Sequence, residues 1–388
     1  MSCDVVVIGA GPGGLAAAAA IQATGRRVVV LDRAPHVGHT WRQHYDRLHL
    51  HTPRELSHLP GLKIPRSFGR WVSRDDVVSY LELYAAHHRL DLRLGTEVVG
   101  LARAEGAGAG SGSGSGSGAG WRVELAGGEV LRAPNVVVAT GYNNTPKPMT
   151  WPGLETFTGE VVASSAYKNG RPYAGRSVLV VGPGNTGAEI STDLAECGAG
   201  PVWLAVRTAP HILPRSQFGW PTQGTGVLVR HLPAPVVDRI GAVLGRVMEP
   251  DLTAYGMPEA TAGLYTQVLN GRVPVQDVGI IAAIRERRVL PVPAVEAFDG
   301  DAVVLDGGRR IRPEVVVVAT GYVAALEGLV GHLGVLDECG LPVVHGAVSA
   351  PGALGLWFTG FTNPISGMFR ELRIDAERIA AAVARGGA

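Results

Sequence analysis

The residues best placed to do chemistry in this chain are two G-x-G-x-x-G turns, Gly9, Gly11 and Gly14, then Gly182, Gly184 and Gly187. Each follows a β-branched run and opens a helical stretch, which is the context a dinucleotide turn requires. The first glycine permits a tight turn, the second lets a pyrophosphate approach the backbone, and the third lets helix and strand pack closely. The helix N-terminus then faces the phosphates. Glycines serving close packing alone are the competing explanation. The intact strand, turn and helix at both places favours dinucleotides, and Gly13 is counted with the first turn.

The residues ending the following strands separate the two ligands. Asp32 lies eighteen residues past Gly14, where a carboxylate accepts a hydrogen bond from a ribose hydroxyl and repels a 2′-phosphate. Arg207 lies twenty residues past Gly187, where a guanidinium suits a 2′-phosphate. The first site, with Arg33 beside Asp32, therefore expects FAD and the second NADPH. A solvated strand-end charge is the other explanation of Arg207. Both cofactors on one chain imply hydride transfer to a flavin.

These turns need parallel sheets behind them. Cys3 to Asp32 reads as strand, glycine turn, alanine-rich helix ending at Gly25, and strand. Ser73-Arg74-Asp75-Asp76 has the form of a capping box opening an amphipathic helix. Short strands follow at Glu97 to Leu101, Trp121 to Leu125 and Val136 to Ala139. The Gly/Ser tract between the first two, Ala104 to Gly120, reads as a floppy hairpin tip without function. The plan then repeats from Ser177 to Arg207, and RAPNVVVATGY (132–142) returns as RPEVVVVATGY (312–322). The expected fold is α/β: two Rossmann-like dinucleotide-binding domains, the second inserted in the first. Residues 1–145 and 315–388 form the FAD domain, and 146–314 the NADPH domain. An apolar, partly helical, substrate-side insertion falls at about 210–290. The strand ends Thr140, Gly141, Thr320 and Gly321 are expected to meet nucleotide, with no chemistry assigned to Tyr142 or Tyr322.

Composition narrows the function. Glycine supplies 54 of 388 residues, about twice usual usage, as nucleotide turns and a Gly/Ser tract require. Lys plus Arg (35) nearly equals Asp plus Glu (34), so no electrostatic case exists for nucleic acid or an anionic membrane. Cys3, Cys197 and Cys339 lie far apart without a C-x-x-C, which argues against a zinc site and a redox dithiol and fits a reducing cytoplasm. The apolar stretch Val5 to Ile21 is broken by glycines and lacks a basic flank, so no membrane segment is expected. Oligomeric state is not legible.

Longer motifs carry a resemblance. GHTWRQHYDRLHLHTPRELSHLP (38–60), ATGYNNTPKPMTWPGLETFTGEVVASSAYKNG (139–170), VLVVGPGNTGAEIS (178–191), VRTAPHILPR (206–215) and LWFTGFTNPISG (356–367) occur in order along nearly the whole length. The chain thereby resembles the class B flavin-containing monooxygenases, and within them the YUCCA-type enzymes of plant auxin synthesis. That resemblance implies that NADPH reduces the flavin, that O₂ adds at its C4a as a peroxyflavin, and that a small substrate takes one oxygen atom. A dry, closed pocket suits such chemistry. The implied substrate is a 2-oxo acid losing CO₂, with amines, sulfides and ketones as further classes. An NADPH-dependent flavin reductase or oxidase releasing peroxide is the alternative, and a non-catalytic nucleotide-binding redox sensor a second.

The resemblance also assigns residues. Thr40, Trp41 and Arg42 would flank the isoalloxazine and ribityl chain, with Trp41 as plain core the other explanation. His51, where relatives carry Asn or His near the flavin, is the catalytic candidate; a partly solvated histidine among His49 and His58 competes with it. Asn185 and Thr186 belong either to the NADPH site or to a helix cap. Tyr167, Lys168 and Asn363 are counted with the cofactor contacts. The family signature F-x-G-x-x-x-H-x-x-x-[YF] is kept at Phe157, Gly159 and Tyr167, but its histidine is Ala163.

Overall fold

A computed structural model describes residues 3–104, 120–217, 219–229, 232–233, 236–239, 251–269, 271–350 and 352–386. Two five-stranded parallel sheets organise it. In the first, spatial order runs Leu356–Phe358, Asn135–Val138, Val5–Ile8, Val28–Asp32, Asp91–Leu94. In the second it runs Val289–Pro293, Val202–Val206, Val178–Val181, Val315–Val318, Glu160–Ala163. The central strands VVVI and VLVV are buried throughout, as parallel strands covered on both faces must be.

The two units repeat in register as well as in sequence. Val5 pairs with Val28 on one side and Asn135 on the other, and Val178 pairs with Val202 and Val315. Helices Pro12–Gln22, Arg74–His87 and Met368–Ala384 bury one face of the first sheet around Leu15, Tyr80, Tyr84 and Ile379. The antiparallel strands Val98–Arg103, Trp121–Leu125 and Val130–Ala133 cover the other, with Leu326, Val330, Val335 and Phe361. Helix Asn185–Glu196 and the insertion cover one face of the second sheet, and the hairpin around Phe298 and Val303 the other.

Local signals acted as their chemistry requires. Ser73 Oγ accepts the Asp76 backbone N–H at 3.2 Å and donates to the Asp76 carboxylate at 2.6 Å, so Ser73 caps the helix, which starts at Arg74; the carboxylate takes the hydroxyl rather than the Ser73 N–H of a full capping box. The first helix stops at Gln22, three residues before Gly25 with its φ of 84°. Most of the Gly/Ser tract, 105–119, lies outside the described residues. At its edge the Ala104 N–H donates to the Gly120 carbonyl at 2.8 Å.

The boundary at residue 315 needs correction. Val315–Val318 is paired between Val178–Val181 and Glu160–Ala163 inside the second sheet. The chain crosses back at Tyr322–Val323, which pairs antiparallel with the outgoing crossing Thr145–Pro146. The described part of the insertion mixes strand and helix. Strands Ile212–Pro214 and Val275–Asp277 pair in parallel, and the helices Thr222–Val229, Leu264–Leu269 and Ile280–Arg285 are short. Residues 240–250 lie outside the described residues.

Candidate active site: a cleft between two glycine turns

Gly9 has φ of 113°, and a Cβ there would stand 2.5 Å from the Ala139 carbonyl oxygen. Gly182 repeats this with φ of 114° against Ala319. A Cβ on Gly14 or Gly187 would strike the carbonyl oxygen of Gly9 or Gly182, so the third glycine is what lets helix meet strand. Gly11 and Gly184 are extended, with φ of −82° and −70°, and nothing lies within 4 Å of either added Cβ. Each is the N-cap of its helix without a side-chain cap. The orphan N–H groups of those first turns therefore await a ligand or water.

Asp32 ends its strand with both carboxylate oxygens engaged. Oδ2 accepts the Ala10 N–H at 2.6 Å and Oδ1 the Ala34 N–H at 2.8 Å. Each oxygen keeps a further lone pair for a ribose hydroxyl. Thr140 Oγ1, at the strand end opposite the Gly9 turn, is buried without a partner. An open glycine face, a carboxylate and an unpaired hydroxyl fit the ribose and pyrophosphate of FAD. The second turn presents the same glycine face to a second dinucleotide.

A cleft of about 1260 Å³ runs along the first turn and reaches the second. That exceeds the roughly 300–1,000 Å³ of a site for one drug-sized ligand. Gly9, Gly11, Gly13, Asp32, Arg33, Thr40 and Trp41 line it from the first unit, with His51, Thr140, Gly141 and Asn363. Asn185 and Thr186 line it from the second. The Trp41 ring meets Phe369 edge-on with centroids 5.9 Å apart, so it is at once core and cleft wall.

Several residues assigned from motif position lie elsewhere. Arg42 turns away from the cleft: it pairs with Glu82, and its Nε donates to the Val37 carbonyl at 3.3 Å. Tyr167 is a buried strut, donating its hydroxyl to Asp193 at 2.6 Å and stacking on Tyr173. Burial, followed by its bond to Asp193, raises its pKa well above the ordinary phenol value. Lys168 donates to the Gln43 carbonyl at 2.6 Å and fastens the linker to the helix His39–Gln43. Asn185 clamps the insertion: its Oδ1 accepts the Gln276 N–H at 2.8 Å and its Nδ2 donates to the Pro274 carbonyl at 3.1 Å. It is therefore not the helix cap, which is Gly184, and it keeps its place in the cleft wall. Gly14, Gly182, Gly184, Gly187, Thr320 and Gly321 shape the turns without bordering the cleft. Arg207 is exposed just past Val202–Val206, outside the cleft wall and without an ion pair among the described residues.

Three residues at or behind the cleft wall were not singled out from sequence. Tyr45 belongs to the first unit, yet it is 2 % exposed within the core of the second. His44 is pulled down to about 4, by burial first and the Lys168 ammonium second. Glu189, buried on the helix Asn185–Glu196, stands 2.6 Å from Nε2 of His51. The H-Y-D-R-L-H-L-H run thus docks onto the second unit, and Arg47 reinforces it through Glu196 at 3.0 Å. The motif match at 38–60 covers this run without marking which of its side chains cross to the second unit.

Two parallel sheets, each ending in a glycine turn, with a cleft lined by the first turn and by Asn185 and Thr186 of the second, fit a flavoprotein oxidoreductase with two dinucleotide sites. Residues 6–212 match the pyridine nucleotide-disulphide oxidoreductase family. The chain is 37 % identical over 362 residues to the indole-3-pyruvate monooxygenase YUCCA1 of Oryza sativa subsp. japonica, covering 92 % of this chain and 86 % of that one. It is 33 % identical over 387 residues to YUCCA6 of Arabidopsis thaliana, covering 97 % and 88 %. Among solved structures, a variant flavin monooxygenase from Stenotrophomonas maltophilia superposes with TM-score 0.74 at 23 % identity, covering 100 % and 99 %. Open cyclohexanone monooxygenase gives 0.70 at 20 %, covering 99 % and 88 %, which shows shared fold. The chain belongs to the flavin-containing monooxygenase family, alongside the YUCCA enzymes. It is an FAD- and NADPH-dependent monooxygenase.

Proposed function

We propose that the substrate is a 2-oxo acid with a bulky apolar side chain, which gains one oxygen atom and loses CO₂. The observation that carries this is the identity with enzymes named indole-3-pyruvate monooxygenases across most of both chains. The insertion is consistent with it, lining the cleft with Leu213, Trp220, Val237 and Leu264, a wall suited to an aromatic group. FAD, reduced by NADPH, supplies the electrons by which one atom of O₂ is inserted and the other leaves as water.

The chain's own residues bind and enclose. The Gly9 turn, Asp32 and Thr140 hold the flavin nucleotide, with Thr40, Trp41 and Asn363 along its ring. The Gly182 turn holds NADPH, and Arg207 meets its 2′-phosphate. His51 is the polar group of the cleft that holds a proton near the reacting atoms. Three free cysteines favour a reducing cytoplasm. No helix among the described residues is long and apolar enough to cross a membrane.

Release of peroxide is the second reading, favoured by Ala163 standing where the family signature has histidine. A panel of 2-oxo acids, cyclic ketones, sulfides and amines tests both. A 2-oxo acid should give one CO₂ per NADPH consumed. Product from a ketone or sulfide alone would replace the substrate class, and peroxide from every substrate would favour the second reading.

A further inference from the structure

His51 and Glu189 meet across the boundary between the two units. The His51 side chain is 22 % exposed and borders the cleft, whereas that of Glu189 is 1 % exposed. Nε2 of His51 and Oε1 of Glu189 are 2.6 Å apart. Glu189 lies in the second turn of the helix Asn185–Glu196. Tyr45, buried in the core of the second unit, stands close to the same carboxylate.

A carboxylate oxygen only accepts, so the proton of this contact belongs to Nε2. The tautomer of an imidazole is set by the bond its other nitrogen makes. Nδ1 of His51 has no hydrogen-bond partner among the described residues, and it is not among the sealed, unpaired polar atoms. It is therefore the ring nitrogen left open, on a residue that lines the cleft.

We propose that Glu189 is the positioning residue for His51, holding its proton on Nε2 so that Nδ1 alone exchanges a proton in the cleft. The proposal rests on the reading of His51 as the proton-holding group above. Monooxygenation needs such an exchange: the oxygen atom that leaves as water takes the hydride equivalent from NADPH and one proton from solvent. Because Glu189 comes from the NADPH unit and His51 from the flavin unit, the tautomer is correct only while the two units are docked. His44, Tyr45 and Arg47 from the first unit and Arg215 from the insertion are the other titratable or charged groups facing the pair.

The test uses full-length, flavin-loaded protein labelled with ¹⁵N-histidine, with His51→Asn identifying the His51 signals. Wild type should show His51 as the Nε2–H tautomer. Glu189→Gln, whose amide can donate as well as accept, should shift that population toward Nδ1–H. Its kcat for NADPH consumption should fall about a hundredfold while KM for NADPH changes less than about threefold. Glu189→Asp, which keeps a carboxylate, should recover part of the loss and covers the case in which Glu189→Gln does not fold. In a His51→Asn background Glu189→Gln should cost nothing further. An unchanged tautomer in Glu189→Gln, or additive losses in the double variant, would overturn the proposal. Neither readout requires a 2-oxo acid, so failure here is separable from failure of the substrate assignment.

Discussion

The Asp32 carboxylate accepts the backbone N–H of Ala10 at 2.6 Å, tying the end of one strand to the glycine turn at the end of its neighbour. One side chain thus shapes the glycine turn and keeps lone pairs for the ribose hydroxyl expected there. Charge-assisted bonds of this kind contribute about 1.5–3 kcal/mol. Asp32→Ala should purify with little flavin, and Asp32→Asn, which keeps one accepting oxygen, should fall between it and wild type. The ratio of flavin to protein absorbance after reconstitution measures this. Full occupancy in Asp32→Ala would contradict it.

Arg207 stands exposed just past the strand Val202–Val206, in the unit of the second glycine turn. A guanidinium–phosphate pair should give about a ten- to hundredfold preference for NADPH over NADH. Arg207→Ser should raise KM for NADPH by that factor and leave NADH nearly unchanged. Equal losses with both would mark Arg207 as structural.

Tyr167 keeps its place in the family signature, but its hydroxyl is spent on Asp193. Tyr167→Phe should therefore lower stability by about 1–2 kcal/mol while KM for NADPH and flavin content stay put. Chemical denaturation beside steady-state kinetics separates the two effects. A raised KM with unchanged stability would return Tyr167 to the cofactor site.

His44 should make stability depend on acid. Its folded value is about 4 against 6.5 ordinarily, so between those pH values the unfolded chain binds the extra proton. Stability then rises with pH across that window and is lost as pH falls through it. His44→Gln should flatten the dependence between pH 4 and 6.5, read as denaturation midpoint against pH.

Much of the fold was legible because steric necessity left few choices. Gly9, Gly14, Gly182 and Gly187 sit where a Cβ collides with backbone, so residue type and spacing report geometry directly. Ser73 and Asp76 report a helix start for the same local reason. Side-chain direction is not local. Arg42, Tyr167 and Lys168 sit in matched motifs yet turn to Glu82, Asp193 and the Gln43 carbonyl. Glu189 was invisible because a glutamate in a helix is ordinarily a solvated charge, and only docking of the H-Y-D-R-L-H-L-H run buries it. The return crossing was set too early because an all-valine strand belongs equally well to either sheet.

Ala163 ends the strand Glu160–Ala163, two residues before Ser165 enters the cleft wall. The units are nevertheless joined by His51 to Glu189, Arg47 to Glu196 and Lys168 to Gln43. A shift in a docking equilibrium, rather than loss of a reacting group, is the expected consequence of alanine there. Ala163→His should reduce the peroxide released per NADPH and leave kcat for NADPH consumption within about threefold of wild type. An unchanged leak would remove position 163 from coupling.

The central claim is that an atom of O₂ enters a 2-oxo acid within this cleft. The direct measurement is turnover of indole-3-pyruvate with NADPH under ¹⁸O₂, with catalase present to destroy free peroxide, which decarboxylates 2-oxo acids unaided. The expected result is one ¹⁸O in the product carboxylate and one CO₂ per NADPH, insensitive to catalase. Product that disappears when catalase is added, with NADPH still consumed, would contradict it.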